Sequence, residues 1–150
     1  MKKFFLSVIL LLFVNILYSQ NIDFNLIHKL INTSFVTIDD LMTEGYGFKK
    51  FESESDDNKR QYGRNYNDDF DNAIIITVLN SKLKSNSLEL ILAKNYNIRD
   101  IKDKLLEYGY EYYGSNEYGL VLYKYEKTIW AIAKEPNKVG ATQIFIMTKN

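Results

Sequence analysis

The sequence predicts an α+β protein: a tandem repeat of one helix followed by about four antiparallel strands, with the helices packed on one sheet face. Three observations carry that expectation. Gly45-Tyr46-Gly47-Phe48 and Gly109-Tyr110-Glu111-Tyr112 each end a helix-like stretch, 64 positions apart. Short apolar or alternating runs follow each of them, as strands require. Ile74-Ile75-Ile76 and Ile129-Trp130-Ala131 then recur at a spacing of 55, which places a nine-residue excess in the polar segment 52–71 of the first unit.

The elements follow in order. Phe24, Ile27, Leu30 and Ile31 predict a short opening helix. Thr37 is placed to cap the next helix, with Asp40 three residues on and Val36 facing Leu41 as a staple. Gly45 would stop that helix in the left-handed conformation. Strands are expected over 46–53, over 60–66 (the weakest of the set), over 72–80 and over 87–94. In the second unit Asn97 caps a helix whose Ile98, Ile101, Leu105 and Tyr108 share a face, and Gly109 closes it. Strands 110–115, 118–126, 128–134 and 142–149 complete the unit, joined by tight connections at Asn116 and at Glu126-Lys127. The expected organisation is a leader over 1–19, a first unit over 20–95 and a second over 96–150, the two units forming one compact domain.

The leader is read from Lys2 and Lys3, a nearly unbroken apolar run over 4–17, and Ser19 at the expected cleavage point. A run of fourteen residues, interrupted by Ser7 and Asn15, is too short for a bilayer, which needs about 20. The expected location is therefore periplasmic or extracellular, with no membrane span after cleavage. Removing Lys2 and Lys3 leaves 17 basic against 19 acidic residues, a net charge of −2. A chain with no surplus of positive charge is a poor nucleic-acid ligand. The absence of cysteine excludes disulfides, zinc–thiolate sites and thiol nucleophiles.

No chemical motif rises above background, so no catalytic residue, cofactor or metal site is expected. His28, the only histidine, sits at the edge of an apolar stripe and lacks the partners a triad or zinc site needs. Segment 52–71 gathers seven carboxylates, yet their spacing does not fit an EF-hand and Lys59, Arg60 and Arg64 are interleaved. It reads as a solvated, mobile loop. Eleven tyrosines follow residue 19, and AT-rich codons account for part of that excess. Tyr110 and Tyr112 are expected in the core and Tyr113 on the opposite face. Tyr113, Tyr118, Tyr123 and Tyr125 are the candidate partner-binding residues, because tyrosine supplies a rigid contact surface with a polar tip.

The pattern of a helix ending in Gly-aromatic-x-aromatic, then strands, then a second copy, resembles small uncharacterised exported proteins of Bacteroidetes. Lys2-Lys3 and Ser19-Gln20 suit the same setting. That resemblance covers most of the chain after residue 19 and supplies no functional residues. The plan is also similar in architecture to β-lactamase-inhibitor-like and PepSY-like domains, which implies binding to a protein or peptide. The expected function is a non-enzymatic binding protein, an inhibitor or immunity-like factor whose partner is another envelope or secreted protein. A carbohydrate- or small-ligand-binding module and a hydrolase using carboxylates alone are the alternatives.

Overall fold

The computed structural model describes residues 22–81 and 85–149. The leader expected over 1–19 lies outside them.

Helix α1 (Phe24–Asn32) starts at Asp23, whose Oδ1 accepts from the backbone N–H groups of Asn25 (2.9 Å) and Leu26 (3.2 Å). It buries Leu26, Ile27, Leu30 and Ile31. Its last carbonyls would be orphaned without help. Asn86 supplies that help from 53 or more residues away: its amide donates to Leu30 O (2.7 Å) and Thr33 O (2.8 Å), and its backbone N–H to Ile31 O (2.9 Å).

Helix α2 (Ile38–Asp40) continues into a π-helical turn, Leu41–Gly45. Two expectations fail here. Thr37 makes no capping bond to the helix, its hydroxyl donating back to Ser34 O, and Val36 is exposed rather than stapled. The left-handed glycine is Gly47 (φ 66°), not Gly45. The wider turn carries the chain two residues further before it reverses, and Phe48 N–H closes it on Met42 O (2.9 Å). Helix α3 (Ile98–Glu107) behaves as expected. Asn97 caps it, Gly109 (φ 85°) ends it, and Tyr110 N–H donates to Leu105 O at 2.9 Å.

The strands are β1 (Lys49–Lys50), β2 (Lys59–Arg64), β3 (Ile74–Leu79), β4 (Ser87–Leu92), β5 (Glu111–Ser115), β6 (Leu120–Tyr125), β7 (Thr128–Ala133) and β8 (Thr142–Thr148). They form one antiparallel sheet in the order β1-β2-β3-β4-β8-β7-β6-β5. The strand expected over 46–53 shrinks to two residues, while the weakest expected strand, 60–66, forms as β2 and pairs with β3 along all six of its residues, so segment 52–71 is not loop throughout. The spacing of 55 also fails. It equates Ile74, which faces the core, with Ile129, which does not, and the pleat forbids that exchange.

The pleat divides the sheet cleanly. Tyr62, Ile74, Ile76, Val78, Leu88, Leu90, Leu92, Ile144, Ile146, Ile132, Trp130 and Tyr123 share one buried cluster with the apolar sides of all three helices. At the edge of that cluster Asp39 on α2 accepts from the buried Tyr62 hydroxyl (2.5 Å) and pairs with Arg60 (3.1 Å) and Lys50 (3.4 Å). This fastens α2 to β1 and β2.

Candidate functional site

Two places stand out, and the first is the other face of the sheet. Register puts Ile75, Leu79, Ile91, Phe145, Met147, Ile129, Leu120 and Leu122 there, with Tyr113 on the edge strand β5. None belongs to the cluster under the helices, and none is fully buried. A one-sided antiparallel sheet normally alternates apolar inward with polar outward. Here many of the outward positions are apolar. Four of the polar residues among them pair with each other, Gln61 with Thr77 (3.0 Å) and Gln143 with Glu89, and Lys59, Ser87, Lys124 and Glu111 are the other polar positions. At one end Phe51 and Tyr66 meet edge to face over Gly63, where a Cβ would lie 2.5 Å from Phe51 Cζ.

The second place is a cleft of about 370 Å³ on the helix side, where α1 and the end of α3 meet the β6–β7 hairpin. Five rings build it. Phe24 stacks between Tyr108 and Trp130, each 5.3 Å from it, and Tyr110 lies 5.5 Å from Tyr125 and 6.3 Å from Trp130. They converge because Phe24 leads α1, Tyr108 and Tyr110 straddle the left-handed Gly109, and Tyr125 and Trp130 flank one tight turn. Glu126 and His28 also line it. Burial raises the pKa of the Tyr110 hydroxyl, and the Trp130 indole and Thr128 beside it act the other way. The indole Nε1 still meets no acceptor in hydrogen-bonding geometry, and neither does the Thr148 hydroxyl in the same wall.

The four tyrosines selected from the sequence do not form one surface. Tyr113 stands on the open face, 65 % exposed, with Lys124 Nζ 5.4 Å from its ring centre. Tyr118 is 79 % exposed in the β5–β6 turn. Tyr123 is 7 % exposed and packs in the core, edge to face with Tyr112. Tyr125 belongs to the cleft. Tyr112, expected in the core, is exposed because β5 is the outermost strand and no helix extends over it to bury that ring. Sequence reasoning missed Phe24, Tyr108 and Trp130 as members of a site. The available signal was Tyr125 and Trp130 at odd separation across a two-residue turn, which sets them on one face.

Among the described residues no group of three or more His, Cys, Asp or Glu side chains could hold a metal ion, and no helix is long and apolar enough to cross a membrane. The chain matches no protein-family model, no curated protein and no solved structure.

Proposed function

We propose that this is an exported, non-enzymatic binding protein whose helix-free sheet face docks a folded protein partner of the cell envelope or its surroundings. The observation that carries the reading is the apolar content of that face. Contiguous exposed apolar surface on a small domain is characteristic of an interaction site. Seven strands about 4.8 Å apart and about 17–20 Å long, with β1 adding only two residues, span roughly 600 Å² of sheet, against the ~800 Å² each partner gives to a standard interface. The surface is apolar around Phe145, Ile91 and Leu122, is crossed at its middle by the hydrogen-bonded pair Glu89 and Gln143, and carries Lys124, Glu111 and Lys59 toward the edges. Mixed charge at the rim favours a protein over an anionic lipid surface, which would call for a basic one. An inhibitor or immunity-like role is the form of this function that needs no chemistry of its own.

The chain order, α2 then β1–β4 and α3 then β5–β8, further supports a duplicated helix-plus-four-strand unit, joined edge to edge at β4 and β8.

The test is affinity capture with the full chain carrying a C-terminal tag, from envelope and culture-supernatant fractions, beside Phe145→Glu and Ile91→Lys. Both positions lie outside the core, so both variants should keep the native circular dichroism. A stoichiometric protein retained by the parent and lost by both variants is the expected result. A partner retained equally by all three would place the interface elsewhere. A shift of the parent alone to a dimer in light scattering would replace the foreign partner with a second copy.

A further inference from the structure

We infer that the aromatic cleft is a second, separate binding site, and that its ligand is a small organic cation of the quaternary or methylated ammonium class. The inference rests on the cleft alone and stands whether or not a protein docks on the open face.

Its size comes first. About 370 Å³ lies at the lower end of small-molecule sites, too small for a peptide strand and sufficient for a compact ligand. Its lining then selects the charge. Tyr108 and Tyr125 are exposed at the cleft and Tyr110 lies between Tyr125 and Trp130, while Phe24, stacked between Tyr108 and Trp130, and the buried Trp130 hold these rings in place. Ring faces carry negative potential and attract a cation that has lost part of its water, and a methylated ammonium loses its water most readily. Glu126 adds a carboxylate at the rim, and no Lys or Arg side chain lines the cleft. Lys127 and Lys149 are close in the chain and stay outside the lining. A neutral sugar is the competing ligand, because Asn25, Asn32 and Thr128 also line the wall and the Trp130 indole and Thr148 hydroxyl have no partner there, and the glucoside arm of the test below separates it from the cation.

Glu126 has φ 47°, the left-handed conformation that a two-residue hairpin turn such as β6–β7 requires, and the turn places this residue at the rim of the cleft.

Trp130 is the only tryptophan in the chain and forms part of the cleft, so its fluorescence reports directly on occupancy. The experiment titrates the full-length protein at fixed ionic strength with choline, with 3,3-dimethyl-1-butanol (the same shape without the charge) and with methyl β-glucoside. The expected result is a saturable change with choline and at least about tenfold weaker response to the other two. Tyr125→Leu keeps apolar bulk while removing a ring face, and Glu126→Asn removes the charge while easing the turn. Each should weaken choline roughly three- to tenfold, and the thermal midpoint of Glu126→Asn should not fall. Tyr118→Ala should change nothing. Equal response to choline and the alcohol, stronger binding of the glucoside, or no saturation by roughly ten times a millimolar dissociation constant would each overturn the inference.

Discussion

Leu90 and Ile91 are neighbours on β4, and their side chains have opposite fates. Leu90 lies between Ile76 and Ile144 beneath the helices; Ile91 lies between Ile75 and Gln143 on the face with no helix. The open face mixes Lys59, Gln61, Thr77, Glu89, Lys124 and Gln143 with its apolar residues, so composition already leans toward the other face as the core. The helices complete the difference, because the face they cover loses most of its water. What the open face retains is unspent hydrophobic surface, and that is the reason to assign it an interaction.

The largest expected effect tests that difference. Leu90→Ala should cost about 3 kcal/mol of unfolding free energy, through lost burial and the cavity left behind, and Ile91→Ala under about 1 kcal/mol. Urea unfolding followed by circular dichroism measures both. Equal losses would mean that the open face is as well packed as the core, and the proposed interface would lose its basis.

Asn86 ranks next. It closes the C-terminal end of α1 with three hydrogen bonds, two of them from its buried side chain. Asn86→Ala leaves the Leu30 and Thr33 carbonyls without partners and should cost about 2 kcal/mol. The loss should concentrate in α1, so amide exchange should rise at Leu30 and Ile31 ahead of β4.

These residues also show what the sequence could express. Capping by Asn97 and reversal at Gly109 are local chemistry, written within a few positions, and both were legible. The Asn86 clamp joins positions more than fifty residues apart and leaves no local trace. Ile74-Ile75-Ile76 reads as a strand yet conceals which face is covered, since a continuous apolar run has no alternation to read. Strand β2 is the weakest of the expected strands because Lys59, Arg60 and Arg64 dominate its composition. In the structure Arg60 is tied to Asp39 and stacks 4.6 Å from the Phe35 ring centre, and Arg64 lies 4.7 Å from that of Phe48. Their charges are accommodated by long-range partners that spacing cannot reveal. The aromatic cleft was half legible: tyrosine was singled out, but only the fold shows that Phe24, 106 positions ahead of Trp130, stacks on it.

The third test concerns protons at the sheet's covered face. Burial raises the pKa of Tyr62, Tyr96, Tyr110 and Tyr123, and the hydrogen bond to Asp39 raises Tyr62 further. The folded protein therefore keeps these protons at a pH where the unfolded chain has released them. The resulting stabilisation is full below the ordinary tyrosine value of about 10 and is lost as pH rises above it. Tyr62→Phe should cost about 1 kcal/mol at pH 8 by removing the bond to Asp39, and should flatten the fall in stability above about pH 10. An unchanged alkaline slope would show that Tyr62 releases its proton as freely folded as unfolded.

The smallest effect separates two exposed tyrosines that composition makes equivalent. Tyr113 lies on the apolar face beside Leu122 and Lys124, whereas Tyr118 projects from a turn that Asn116 holds by accepting from Tyr118 N–H (3.1 Å) and Leu120 N–H (2.9 Å). That turn depends on the Tyr118 backbone and not on its ring, so Tyr118→Ala should change stability by less than about 0.5 kcal/mol. It should leave partner capture intact as well. Tyr113→Ala should be equally mild for stability and should weaken capture, because its ring extends the docking face to the sheet edge. If the two variants affect capture alike, exposure alone would account for tyrosine's part in binding, and the boundary drawn around the open face would have to move toward the β5–β6 turn.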